Sequence, residues 1–302
     1  MKPKHALITA CITVPAAAVI RTLQYIYIID SSGHYDMSAP FASVLNYSLY
    51  AVYGIALLAL ILLFATGGNS ICTFEKTLSD KGSRLVFALL MLAFAYEAGV
   101  RVGASMNSGE LDWFALLAAF SALFFFGVSV LPKSKPLSEI SGLFPPIYLI
   151  AIGVSQYFSA LEEAGVSDSK LKALSICALL LYITALCVMN AGVTVSRKRF
   201  AAVALLACTA ATPASVSRLI AIALGKVAPE TPSSEYAWIA IQILIAASAV
   251  VSLIRLTCLP EEYLPEPEPE SEAEEPQTAN GNGLDIYIDE IEEEEEQNNE
   301  NA

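Results

Sequence analysis

Eight apolar stretches of about 20 residues each run through this chain, and each is long enough to cross the hydrocarbon core of a bilayer. They fall at residues 6–29, 42–65, 85–107, 113–131, 143–160, 173–194, 200–224 and 236–258. The runs are continuous and lack the period-two alternation of lipid-facing strands, so helices rather than a β-barrel are predicted. The expected fold is all-α: a polytopic transmembrane bundle over residues 1–258, followed by a disordered acidic tail over 259–302. A hydrophobic fraction of 55% against 16% charged residues excludes an ordinary soluble domain, because that surplus of apolar side chains needs lipid as its solvent.

Charge orients the bundle. If the first span runs outward from the cytoplasm, most of the 17 Lys and Arg fall on the cytoplasmic side, among them Lys76, Lys81, Arg84, Lys133, Lys135, Arg197, Lys198 and Arg199. Outer loops carry only Lys170, Lys172 and Lys226, beside acids such as Glu162, Asp168 and Glu235. Both termini are therefore expected in the cytoplasm, of a plasma membrane of bacterial type. The formal charge of −13 misdescribes the body, since the tail holds 17 of the 30 acids and no Lys or Arg.

The start of the chain resembles a signal peptide, with Ile8-Thr9-Ala10-Cys11 standing like a lipoprotein box. Length argues against both: too few apolar residues precede Cys11, and the run continues to Ile29, as an uncleaved span would. Of the six cysteines, Cys11, Cys177, Cys187 and Cys208 lie in spans and Cys72 and Cys258 near the cytoplasmic side, so reduced thiols are expected. Cys258 also sits where a palmitoylated cysteine would.

Three arginines, Arg21, Arg101 and Arg218, lie inside spans at a cost of roughly 2.5–3.5 kcal/mol each at a helix centre. Their depth, about 9–12 Å from the outer boundary at 1.5 Å per residue, also permits snorkelling to the headgroups. Other strong polar groups gather at the same level: Glu97, Gln24, Asn46, Tyr50, Tyr53, Gln156 and Gln242. Ser43, Asn46, Tyr50 and Tyr53 share one stripe of the second span. Together these ten residues, Ser43 aside, form a candidate ligand site in an outward-facing polar cavity, with interhelical hydrogen bonding as the plainer account. Glu97 precedes Arg101 by four residues, the favourable order for a helical ion pair, while Gly99 and Gly103 offer a close-packing face opposite.

Spans one and seven look alike, with Thr9 to Pro15 then Arg21, and Leu206 to Pro213 then Arg218. Duplicated helical hairpins would explain this, as would chance among Ala-rich helices. Enzyme signatures are scarce. The two histidines, His5 and His34, cannot build a zinc motif or an embedded Ser-His dyad, and no pair of intramembrane aspartates exists, so no cofactor, metal or nucleic acid is expected.

In the tail, Leu284, Ile286, Tyr287, Ile288 and Ile291 alternate with acids ahead of a glutamate run. Such a peptide can dock on a cytoplasmic protein partner, or it is simply a solubilising segment. Two functions follow as expectations: binding or transport of a small, anionic solute, or a membrane scaffold whose tail recruits a partner.

Overall fold

The computed structural model describes residues 3–29, 35–36, 38–66, 70–109, 112–130, 139–162, 168–229, 232–260 and 262–263. Nine named helices result: α1 (Pro3–Tyr27), α2 (Ala42–Ala65), the short α3 (Phe74–Leu78), α4 (Lys81–Ser108), α5 (Trp113–Val130), α6 (Phe144–Glu162), α7 (Asp168–Asn190), α8 (Arg197–Ala223) and α9 (Pro232–Cys258). All but α3 belong to the eight segments long and apolar enough to cross a membrane. That is the build of a multi-pass membrane protein.

Local chemistry sets the helix ends. The Asp80 carboxylate caps α4 by accepting from the Gly82 amide at 3.0 Å and the Ser83 hydroxyl at 2.6 Å. The same helix stops at Gly109, whose φ of 73° is the left-handed turn that glycine takes without a steric penalty. Pro145 and Pro146 lie in the first turn of α6, where a missing amide proton breaks no helical bond. The fifth span is thus helical from Phe144 onward rather than irregular at its start.

Helix α8 is the centre of the bundle and its most buried span. It packs against α1, α2, α7 and α9; α9 packs on α4, α4 on α5, and α6 joins α5 to α7. The order α4, α9, α8, α7, α6, α5 closes a ring, with α1 and α2 laid on α8 from outside it. Aromatic rings fill the core where α4, α5 and α6 meet: Phe94 stacks on Phe125 at 5.5 Å and meets Tyr148 edge-on at 5.3 Å. Tyr182 on α7 bonds Ser252 at 2.8 Å and receives a bond from Ser248 at 3.2 Å, tying α7 to α9.

The α1 to α8 seam is built from small residues. Ala6, Ala10, Thr13 and Ala17 form the buried stripe of α1, continued by Arg21 and Gln24, and this spacing is one helical face. On α8, Ala204, Ala207, Ala211 and Ser217 are fully buried. The backbones come close enough for the Ser217 hydroxyl to donate to the Ala18 carbonyl at 2.9 Å. These are the two spans whose sequences look alike. By contrast Gly99 and Gly103, expected at a close contact, are exposed and open around their Cα atoms, because α5 and α9 approach α4 from its other faces.

At the end of the bundle holding the chain's first residues, β1 (Ser70–Cys72) pairs antiparallel with β2 (Val195–Ser196) on one side and β3 (Glu262–Tyr263) on the other. Arg197 lies beneath, buried, and its guanidinium donates to the carbonyl of Leu256 in the last turn of α9 and to those of Leu259 and Pro260 just past it. Lys198 donates to the Thr66 carbonyl at the end of α2.

Burial under this sheet pushes the Cys72 thiol up to about 12 against the pull of Arg197, whereas Cys258 is exposed. The thiolate, not the thiol, is the nucleophile that adds to maleimide. In variants keeping a single cysteine, Cys258 is expected to label rapidly near neutral pH and Cys72 at least tenfold more slowly; equal rates would show that the sheet opens readily.

Candidate functional site

The residues singled out in the sequence divide between two cavities. The larger, of about 560 Å³, is walled by α1, α2, α7 and α8. Arg21, Gln24, Asn46, Tyr50 and Tyr53 line it; Ser43, on the same sequence stripe, does not. Arg21 is 1% exposed although it lies on a helix that presents many apolar residues outward, because the small-residue stripe carries it onto α8. Its guanidinium donates to Gln24 Oε1 at 2.7 Å and to the Tyr35 hydroxyl, and lies 4.8 Å from the centre of the Tyr25 ring. Gln24 passes the chain on, donating to Asn46 Oδ1 at 2.8 Å. The result is a cross-linked polar cluster joining α1 and α2 at one end of the cavity.

Beyond that cluster the wall changes character. Leu57, Leu60 and Leu205 form the far end, while Leu49 of α2 and Leu171 and Leu174 in the first turns of α7 lie alongside the cluster. Two polar atoms interrupt the leucines: the hydroxyl oxygens of Tyr53 and Thr209 are buried and have no hydrogen-bond partner among the described residues. Thr209 is 2% exposed and sits near the middle of α8. An unsatisfied buried hydroxyl costs about 1–3 kcal/mol, a cost a bound polar group or water would offset.

A smaller cavity of about 180 Å³ is lined by Arg101, Gln156, Arg218 and Gln242, with Lys172 and Glu235. Here the cations are matched by carboxylates. Arg101 pairs with the fully buried Glu97 and, at 3.3 Å, with Asp112, and lies 5.0 Å from the Phe114 ring centre. Arg218 meets Glu235 at 2.8 Å. Glu97 also accepts from the Tyr148 hydroxyl at 3.3 Å and the Ser234 hydroxyl at 3.2 Å, so one carboxylate ties together α4, α6 and α9. Gln156 Oε1 is buried without a partner among the described residues.

The three arginines therefore share a depth but not a cavity, and Arg21 stands apart from the other two. Sequence reasoning passed over Tyr35, Thr209 and the α7 leucines. Tyr35 is in a loop and Thr209 in an Ala-rich run; only the polar interruption of a stripe marked the latter. Leu284, Ile286, Tyr287, Ile288 and Ile291 of the tail, and His34, lie outside the described residues. No group of three or more His, Cys, Asp or Glu able to hold a metal occurs among the described residues.

Comparison with protein-family models, curated proteins and solved structures found no match. Fold and cavities thus define a class, an eight-span helical membrane protein with two polar hollows between its helices, and further identification rests on their chemistry.

Proposed function

We propose that this protein binds a small anionic solute in the α1, α2, α7 and α8 cavity and carries it across the membrane. One observation bears most of the weight: a buried arginine forms the polar end of a cavity large enough for a small molecule. A guanidinium is a fixed fork of charged donors, the group best suited to recognise an anion, with Gln24, Asn46 and Tyr35 fixing its direction. The Lys and Arg pattern of the loops supports cytoplasmic termini, and in that orientation the Arg21 end of the cavity faces outward. Eight spans are also more membrane than an anchor requires.

The test uses purified protein in lipid nanodiscs titrated with sodium salts of phosphate, acetate, benzoate and octanoate, followed by thermal shift. At least one anion is expected to raise the melting temperature, with binding at least tenfold weaker in Arg21→Gln and largely kept in Arg21→Lys. Equal affinity in the parent and Arg21→Gln would overturn the assignment.

A further inference from the structure

From the shape of the same cavity, and resting on the reading of Arg21 just given, we infer that the ligand is a single-chain amphiphile with an anionic headgroup, entering sideways from the bilayer. Three independent features carry this.

The first is the mouth. Tyr50, Leu57 and Leu174 line the cavity and are nevertheless 68%, 56% and 45% exposed, so the hollow opens between α2 and α7 on the flank of the bundle. Leu57 is near the middle of α2, in the stretch from Gly54 to Ala65 where every residue is apolar. In a membrane that flank faces acyl chains rather than water. A solute of purely aqueous habit would not find this opening, whereas an amphiphile already dissolved in the leaflet is delivered to it.

The second is length. Along α2 the lining runs from Asn46 to Leu60, which at 1.5 Å per residue is about 21 Å. A compact anion needs only the first turn of this. Apart from Tyr50, Tyr53 and Thr209 the remainder is leucine and alanine, the wall that an extended hydrocarbon chain matches, and the volume suits one chain.

The third is polarity order. Arg21, Gln24, Tyr35 and Asn46 cluster at one end and Leu57, Leu60 and Leu205 lie at the other, so the charge of the lining sits at one end of the axis as it does in the ligand. Leu205 and Thr209, both on α8, make the floor, and Thr209 offers the unpartnered buried hydroxyl midway.

A homologous series separates this inference from the reading beneath it. Acetate, butanoate, octanoate and dodecanoate are titrated into nanodisc-embedded protein, with empty nanodiscs subtracted and the free concentration measured. Affinity is expected to rise about fourfold per methylene, through octanoate, and to depend on Arg21 throughout. Leu57→Trp, which fills the mouth, is expected to weaken dodecanoate at least tenfold more than it weakens acetate. Because that variant can also disturb packing, dodecanoate bearing a diazirine at its far end is photolysed on the unaltered protein, and labelling is expected within residues 53–60 or 205–210. A matched arm with a monoacyl glycerol phosphate decides the source: tighter binding than dodecanoate means a membrane lipid, weaker binding a free fatty acid, and both support the inference. Arg21-dependent binding with no gain from chain length, or labelling confined to other helices, would overturn it and leave the small-anion reading intact. No binding of any member would remove both.

Discussion

Replacing Glu97 by alanine is expected to destabilise the bundle by about 3 kcal/mol, the low end of what breaking a buried ion pair costs. The carboxylate is fully buried and serves three helices at once. Without it, Arg101 keeps Asp112 at 3.3 Å and the Phe114 ring among the described residues, and the hydroxyls of Tyr148 and Ser234 lose their acceptor. Arg101 is itself about one fifth exposed, which lets water soften the loss and is why the low end applies. Thermal unfolding in detergent reads the effect directly. Glu97→Gln keeps an acceptor oxygen and is expected to lose about half as much, and removing Arg101 together with Glu97 is expected to restore part of the loss, as coupled partners do. A Glu97→Ala protein that melts with the parent would mean that the cluster contributes nothing to folding.

The second large effect lies on the α1 to α8 seam. Ala17 is fully buried, one turn before Arg21 and beside the Ser217 to Ala18 bond. Ala17→Leu adds bulk where backbones nearly touch, and overpacking of this kind costs about 1–3 kcal/mol. It also pushes Arg21 away from α8, so the anion response of the thermal shift is expected to disappear along with several degrees of stability. Cys11→Leu, on an exposed face of the same helix, serves as the control and is expected to change neither. Equal behaviour of the two variants would refute the close seam.

The two clusters differ in how far the sequence foretold them. All eight spans were readable, since a run of about 20 apolar residues has few other uses. The spacing of Glu97 and Arg101 already pointed to one helical face, and the two are bonded. What one sequence does not carry is the rotation of each helix about its axis. Arg21, Arg101 and Arg218 sit at a common depth, which suggested one hollow, but α8 stands between them and sends Arg21 to one side. The stripe Ala6, Ala10, Thr13, Ala17 was legible as a packing face and would have fixed the direction of Arg21; attention went instead to Gly99 and Gly103, small residues that no neighbour approaches. Strands of two or three residues, such as β2 and β3, have no periodicity to detect.

The three-stranded sheet has a mechanical meaning for the cavity. It staples the segment after α2, the segment before α8 and the segment after α9 at a single end, with Arg197 and Lys198 riveting the same place. Relative movement between α2 and α8 is thereby reduced to a swing about that fastening, like the jaws of a clothes peg, and its amplitude grows with distance from the pivot. A swing about that fastening separates α2 from α8 least at Leu60 and most at Asn46.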